Sequence, residues 1–298
     1  ILLYLESFGN PAKFSTLARR ISRTKPIVAL KSGRSAAGAR AAASHTGALA
    51  SSDDFVDALF QQAGVIRTDT VTELFDVATL LARQPLPQGR RIAILTNAGG
   101  PGILAADACL AHGLAAADLS ANTKAGLKAF LPHAASVNNP VDMLASASPA
   151  QYRQALHLLL ADPQVDSVMA IFIPPLITSA DEVATAIAES AAQGPGKPVA
   201  GVFMRSHAAP ESLAAVPCYA FPEPAAIALA RVAAYGEWRR QPLGQVPVFH
   251  DFQPGIARAV VGTALRRGGG WLTAVEANAL MAAAGIATPR SHLAATVD

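Results

Sequence analysis

The sequence has 298 residues, of which 51% are hydrophobic and 15% charged, and its formal net charge at pH 7 is +3. A chain of this length can form two ordinary domains. No apolar run approaches the roughly 18 residues that span a bilayer, and no basic block could follow a phosphate backbone, so we exclude membrane and nucleic-acid partners. Cys109 and Cys218 are far apart and lack metal-ligand spacing, which favours a reduced cytoplasmic setting without a disulfide.

Short Val/Ile/Leu runs alternate with Ala-rich segments of helical period. This alternation predicts an α/β fold in which βαβ units form parallel sheets with helices on both faces. Strands are predicted at residues 1–5, 27–31, 92–96, 167–173 and 199–204. Helices are predicted at residues 12–22, 52–63, 72–82, 102–111, 150–161, 180–191, 225–238 and 256–267.

The chain also contains an internal repeat. In the first copy, a helix leads to KPIVAL, and a loop then leads to GVIRTDTVTELFDVATLLA. In the second copy, a helix leads to GKPVAGVFM, and a loop then leads to VPCYAFPEPAAIALARVAA. The second copy has a further stretch from Arg90 onward that the first copy lacks, so we expect the opening half of the first module to be missing from this chain. Two generic βαβ pieces that happen to look alike are the alternative.

A proline-rich connector follows the second copy. Beyond it, Thr273 with Glu276 three residues later predicts the start of one more helix, which Gly285 ends. We therefore expect residues 1–87 to be the C-terminal part of one parallel-sheet domain and residues 88–240 to be a second. Residues 241–255 are then a linker, and residues 256–298 begin a third domain.

His45 has an unusual setting among the seven histidines of the chain. It follows a loop of small residues just after a predicted parallel strand, at the edge where such folds place their ligands. Ser44 and Thr46 flank it and could cap the following helix, whose free amides favour an anion. An imidazole nitrogen there is a candidate nucleophile toward a phosphoryl group, and Glu6 could hold its other nitrogen. The alternatives are an ordinary surface or core histidine and a solvent-facing Glu6.

Two turns of the second module carry further candidate residues. The sequence TNAGGPG places Asn97, Gly99, Gly100 and Gly102 between a strand and a helix, where the helix start could bind a phosphate. A tight βα turn without a ligand explains the same pattern. The sequence NNPVDM places Asp142 after a proline, either as part of a substrate loop or as a helix cap.

With these residues collected, the chain resembles the NDP-forming acyl-CoA synthetases, the superfamily of succinyl-CoA synthetase and ADP-forming acetyl-CoA synthetase. The resemblance rests on LLYLES with Glu6, on KPIVALKSGRSAAGARAAASHTGALA around His45, on LTNAGGPGILAADA, on NNPVDM and on the closing WLTAVEANALMAAAGIATP. It implies two flavodoxin-like, succinyl-CoA-ligase-like domains, the first truncated at its N-terminus, followed by the start of an ATP-grasp domain.

The resemblance also implies a mechanism. His45 matches the family's phosphorylated histidine, and Glu6 matches the carboxylate that steadies it. The implied phosphate-binding residues are Ser44, Thr46, Gly47, Asn97, Gly99, Gly100 and Gly102. The implied reaction interconverts acyl-CoA, NDP and phosphate with acid, CoA and NTP. ATP or ADP and Mg²⁺ would bind through the missing part of the ATP-grasp domain, and CoA is a substrate. We expect a homo-oligomer that also needs a CoA-binding domain of the same polypeptide, so that this fragment alone is inactive.

The sequence Ile173-Pro174-Pro175-Leu176 replaces the glycine-rich loop that succinyl-CoA synthetase carries near its acyl site. This difference favours another acid, of which acetate is the simplest choice. A second function stays open at this point. Bacterial proteins of the same domain order are fused to a GNAT-type lysine acetyltransferase, in which the synthetase-like part is a regulatory module. A flavodoxin-like binding module without catalysis is a third possibility.

Overall fold

The computed structural model describes residues 1–34, 53–175, 178–204, 210–213, 215–244 and 248–289. It contains two compact units, Ile1–Gln241 and Pro242–Asp298. His45 and its neighbours Ser44, Thr46 and Gly47 lie outside the described residues.

The first unit opens with a three-stranded parallel sheet in the order β1-β2-β3. Its elements are β1 (Leu2–Leu5), α1 (Pro11–Ser22), β2 (Ile27–Lys31), α2 (Asp53–Ala63), β3 (Val65–Thr68) and α3 (Val71–Arg83). The side chains of Asn10 and Thr70 accept hydrogen bonds from the first turns of α1 and α3, which explains where these helices begin.

A six-stranded sheet follows in the same unit. Its strands are β4 (Arg91–Thr96), β5 (Ala115–Ala116), β6 (Val141–Asp142), β7 (Ser167–Phe172), β8 (Val199–Phe203) and β9 (Cys218–Tyr219). Its helices are α4 (Gly99–Ala111), α5 (Ala121–Lys128), α6 (Pro149–Ala161), α7 (Ala180–Gln193) and α8 (Pro222–Arg240). All strands pair in parallel, in the order β5-β4-β7-β8-β9, and β6 pairs with β4.

These sheets confirm the predicted α/β class. The order β1-β2-β3 has its counterpart in β7-β8-β9, as the internal repeat indicates. Helix α5, strand β3 and the two-residue strands were not predicted, and the helix predicted from residue 102 begins at Gly99 instead. Helices tolerate glycine and proline in their first turn, where the N–H groups have no partner within the helix.

Helix α8 joins the two sheets into one unit. It packs against both α3 and α4, and its alanines are buried in a core shared with β2, β3, β4 and β7. The end of α8 is held by the first module: Nη1 of Arg23 donates to the carbonyls of Arg239 and Gln241 at 3.0 and 2.6 Å. The Arg23 guanidinium also lies 4.3 Å from the Trp238 ring centre, a cation–π contact.

Asn139 fills a gap in the six-stranded sheet. Strands β5 and β6 pair with opposite ends of the same edge of β4, which leaves the middle of that edge without a strand. The Asn139 side chain takes the place of one: its Oδ1 accepts from the Ile94 N–H at 2.9 Å, and its Nδ2 donates to the carbonyls of Ile92 and Ala117 at 2.7 and 3.1 Å. Asn139 thereby connects the NNPVDM turn to the centre of the sheet.

The second unit contains α9 (Pro254–Arg266) and α10 (Ala274–Ala283). Thr273 and Glu276 form the predicted capping box of α10, and Gly285 follows its end with a φ of 73°. Hydrogen bonds from Arg267 and from the Thr273 backbone lower the pKa of Glu276 to about 2.

No helix within the described ranges is long and apolar enough to cross a membrane. Cys109 and Cys218 are free, and burial raises the pKa of Cys109 to about 12.

We predict that Asn139→Ala lowers the free energy of unfolding by about 1 to 3 kcal/mol, because it leaves buried backbone groups of β4 without partners. The neighbouring Asn138→Ala, which removes an exposed side chain, should change it by less than about 0.5 kcal/mol. Urea unfolding followed by circular dichroism measures both changes. Equal midpoints for the two variants would show that Asn139 does not hold the sheet together.

Candidate functional site

The start of helix α4 presents two backbone amides that have no hydrogen-bond partner among the described residues. Ala98, the N-cap residue, has its own N–H bound to Oγ1 of Thr96 at 3.0 Å and supplies no side-chain cap. Pro101 has no N–H, and the Gly102 N–H points back to the Ala98 carbonyl. The amides of Gly99 and Gly100 are left for an external acceptor, since no described side chain accepts from them. Both glycines are exposed, so this turn is suited to an anion.

Asn97, predicted to bind phosphate, is buried, and both polar atoms of its side chain form hydrogen bonds within the protein. Its Oδ1 accepts from the Ile173 N–H at 2.9 Å, and its Nδ2 donates to the Ile173 carbonyl at 2.8 Å. These two hydrogen bonds fix the end of β4 to the end of β7. The side chain of Asn97 therefore positions the turn and links it to the Ile173-Pro174-Pro175 segment.

Asp142 lies beside the same turn. A Cβ atom added at Gly99 would be 3.1 Å from Oδ2 of Asp142, so the carboxylate faces the first residue of α4. Its Oδ1 accepts the Leu144 N–H at 3.0 Å. The interpretation of Asp142 as a helix cap is wrong, because the residue belongs to the two-residue strand β6. A negative charge at this place is favoured by the helix dipole.

Gly102 is required for close packing at the site. A Cβ atom there would meet the side chains of Thr96 and Pro140 at 3.1 and 3.4 Å. Gly102 thus lets the first turn of α4 lie directly against β4 and the NNPVDM turn. Of the four predicted residues of this turn, Gly99 and Gly100 offer amides, whereas Asn97 and Gly102 set their position.

Glu6 lies on the other sheet, at the carboxyl end of β1, and is exposed. Its carboxylate is close enough to Lys31 to affect it: burial lowers the pKa of Lys31, while the charges of Asp53 and Glu6 oppose that shift. Among the described residues, no hydrogen bond or ion pair joins Glu6 to the start of α4.

A group of charged residues on the same sheet as Glu6 was not singled out from the sequence. Arg34, Asp53, Arg67 and Asp69 form a group of ion pairs at the ends of β2 and β3. They are scattered along the sequence and follow no motif, so only the fold brings them together. No group of three or more His, Cys, Asp or Glu side chains in the described part of the chain is placed to hold a metal ion.

Comparisons with known proteins identify both halves of the first unit. Residues 1–81 match the family described as succinyl-CoA ligase like flavodoxin domain, and residues 92–243 match the Ligase-CoA domain. This chain belongs to the Ligase-CoA domain family of NDP-forming acyl-CoA synthetases. The family predicted from the sequence is therefore confirmed.

Curated relatives are ligases by name. The chain is 42% identical to the alpha subunit of acetate–CoA ligase [ADP-forming] II of Pyrococcus furiosus, over 76% of this chain and 51% of the relative. It is 36% identical to 4-hydroxybutyrate–CoA ligase [ADP-forming] of Nitrosopumilus maritimus, over 84% of this chain and 36% of the relative. The chain thus spans about half the length of the first relative and about a third of the second.

A solved structure agrees with this assignment. The dinucleotide forming acetyl-coenzyme A synthetase 1 of Candidatus Korarchaeum cryptofilum, in complex with phosphate and ADP, superposes with a TM-score of 0.75 at 31% identity. The superposition covers 80% of this chain and 53% of that protein.

We predict that Gly102→Ala destabilises the protein by about 1 to 3 kcal/mol, since the new methyl group presses on Thr96 and Pro140. Gly100→Ala is the matched control, because a Cβ atom there meets nothing within 4 Å and alanine suits a helix better than glycine. Thermal unfolding of the two variants measures the difference. A Gly102→Ala variant as stable as Gly100→Ala would show that the turn is not tightly packed.

Proposed function

We propose that the full-length protein is an NDP-forming acid–CoA ligase that works through a phosphohistidine at His45. The reaction converts acyl-CoA, NDP and phosphate into acid, CoA and NTP, or the reverse. The observation that supports this most is the pair of open amides at Gly99 and Gly100, at the motif where the family binds its phosphohistidine. Membership of the Ligase-CoA domain family and the names of the relatives point to the same reaction.

The central step transfers a phosphoryl group to the imidazole. A ring nitrogen of His45 attacks the phosphorus of an acyl phosphate, the phosphorus–oxygen bond to the acyl group breaks, and the acid leaves as its carboxylate. The phosphohistidine then gives the phosphoryl group to NDP. Glu6 accepts the hydrogen of the other ring nitrogen, which keeps the attacking nitrogen free to react.

The start of α4 stabilises the charge that this step stores. A phosphohistidine carries about two negative charges near neutral pH, by analogy with other phosphorylated side chains. The helix N-terminus lowers the free energy of such charge by about 0.3 to 2 kcal/mol. Gly99 and Gly100 supply the amides. Ser44, Thr46 and Gly47, which flank His45 in the sequence, are the further phosphate-binding residues of this proposal.

We assign Asp142 and the Ile173-Pro174-Pro175 segment to the acid substrate. Both adjoin the α4 turn, the first through Gly99 and the second through Asn97. The names of the relatives include acetate and 4-hydroxybutyrate, so the class is a small carboxylic acid, with acetate the simplest member.

The remaining substrates require other parts of the protein. The nucleotide and Mg²⁺ would bind in an ATP-grasp domain that begins near residue 256, and CoA in a separate CoA-binding domain. We also propose the domain limits given above, a cytoplasmic location and a homo-oligomer.

The acetyltransferase alternative has no support from the comparisons. The relatives and the solved structure named above are CoA ligases or synthetases. We therefore place the ligase function first.

We predict that the full-length protein, incubated with γ-labelled ATP and Mg²⁺, acquires an acid-labile, base-stable label that His45→Ala abolishes. His112→Ala is the control, since His112 is exposed at the end of α4 and should be labelled like the wild type. Equal labelling of the wild type and His45→Ala would remove His45 from the mechanism.

Glu6→Gln should reduce the rate of this labelling by about 10- to 100-fold, because it removes the charged acceptor of the histidine N–H. The melting temperature should not change, since Glu6 is exposed at the end of its strand. Rapid-quench labelling and calorimetry measure the two quantities. Labelling at the wild-type rate would leave Glu6 as an ordinary solvent-facing charge.

A further inference from the structure

A group of basic residues forms where the ends of helices α1 and α8 meet. Nη1 of Arg23, the residue after α1, donates to the carbonyls of Arg239 and Gln241 at the end of α8, at 3.0 and 2.6 Å. Residues three and four positions apart share one face of a helix, so Arg19 and Arg20 lie on the same side of α1 as Arg23. The fold thereby brings together basic residues from distant parts of the chain.

Five cations in this region are exposed and form no ion pair or side-chain hydrogen bond with any described residue: Lys13, Arg19, Arg20, Lys25 and Arg239. We call these five residues the basic surface. The sequence has no Asp or Glu between residues 7 and 52. Glu237, in the last turn of α8, accepts hydrogen bonds from Arg90 at 2.7 to 2.9 Å with both carboxylate oxygens. The five charges are therefore left for a partner outside the described residues.

Helix dipoles explain only part of the basic surface. A cation is stabilised in the last turn of a helix, where Arg19, Arg20 and Arg239 lie. Lys13 lies instead in the first turn of α1, where the dipole disfavours a cation. Like charges close together on a helix also destabilise it. The basic surface is thus more positive than the stability of the two helices requires.

An apolar side chain among these cations points to a polypeptide partner. Leu17 is 38% exposed, and it lies on the same face of α1 as Lys13 and Arg20, which are four and three residues away. Carboxylates of a partner would pair with the cations, and arginine suits them because its guanidinium binds a carboxylate through two parallel hydrogen bonds. An apolar side chain between those carboxylates would cover Leu17.

Two other anionic partners fit less well. Proteins that bind single-stranded nucleic acid stack its bases on aromatic side chains, but the Trp238 ring beside this surface already contacts the Arg23 guanidinium at 4.3 Å. A helix that binds a membrane surface presents an apolar face to it, whereas Phe14 and Ile21 of α1 pack against the core of the first sheet. An acidic polypeptide is the partner that the surface favours.

We propose that the basic surface binds an acidic segment of a partner polypeptide, in which an apolar side chain lies among the carboxylates. This interaction is separate from the proposed ligase reaction. Lys25 precedes β2 and lies at the amino edge of the first sheet, whereas Glu6 follows β1 at the carboxyl edge of the same parallel sheet. Binding through exposed charges is fast and weakens as salt is added.

The test uses the full-length protein and two labelled probes of equal charge, a glutamate-rich peptide of about ten residues with one central leucine and a single-stranded oligothymidylate. Fluorescence anisotropy measures binding at about 50 and about 200 mM salt. We expect the peptide to bind with a micromolar Kd at the lower salt concentration and about tenfold more weakly at the higher one. The oligothymidylate should bind more weakly than the peptide.

The charge-reversal variant Arg19→Glu/Arg20→Glu should weaken peptide binding about tenfold or more, because each exposed ion pair contributes up to about fivefold and each reversal adds repulsion. Arg19→Gln/Arg20→Gln, which is milder for folding, should weaken it about three- to tenfold. Leu17→Gln should weaken binding of the leucine-containing peptide about threefold and leave binding of an all-glutamate peptide unchanged.

Lys124→Glu/Lys128→Glu is the matched control. It changes the net charge by the same amount, at two residues of helix α5, which packs against α6. This variant should bind the peptide as the wild type does. All variants should melt within about 3 °C of the wild type, since the substituted side chains lie at the protein surface.

Four results would overturn the proposal. The wild type could fail to bind the peptide at the lower salt concentration, or the two charge-reversal variants could weaken binding equally, which would show a response to net charge alone. The oligothymidylate could bind at least as tightly as the peptide, or Leu17→Gln could bind the leucine-containing peptide as the wild type does. None of these measurements involves His45, so each outcome leaves the proposed ligase function to its own test.

Discussion

Two backbone amides at the start of α4 have no hydrogen-bond partner among the described residues, and the proposed phosphohistidine site depends on them. The Ala98 N–H donates to the Thr96 hydroxyl, Pro101 has no N–H, and the Gly102 N–H donates to the Ala98 carbonyl. The N–H groups of Gly99 and Gly100 at the first turn of α4 are therefore left to bind a ligand. An exposed amide pair at a helix start is free to bind an anion in place of water. Asn97 fixes this turn to β7, and Gly102 lets it pack against β4 and Pro140. Asn139 in turn fixes the NNPVDM turn, to which Pro140 belongs, to the gap beside β4.

The class of fold could be predicted because its evidence is local. Runs such as residues 27–31 and 167–172 are long enough to show a buried strand, and the Ala-rich segments show a helical period. The α4 turn could be located because glycine, proline and asparagine mark a strand-to-helix turn. The two-residue strands could not be predicted: β6 exists only because Val141 and Asp142 pair with the end of β4.

The roles within the site were harder to predict than its location. Asn97 and Gly99 belong to the same turn motif in the sequence, yet their roles differ. The Asn97 side chain is hydrogen-bonded to the backbone of Ile173, whereas Gly99 contributes its backbone amide. The distinction depends on β7 lying next to β4, which is a contact between distant parts of the chain. The ion pairs of Arg34 with Asp53 and Asp69 also depend on contacts between distant parts of the chain, so no local sequence pattern predicts them. His45 itself is still assigned by its motif and its place between Arg34 and Asp53.

The most direct measurement is a structure of the full-length protein in its phosphorylated form, and the quantity is the distance from the phosphoryl oxygens on His45 to the backbone nitrogens of Gly99 and Gly100. The account predicts distances of about 2.7 to 3.2 Å in at least one state of the reaction cycle. Phosphoryl oxygens that contact other groups in every state, with these two amides bound only to water, would contradict it.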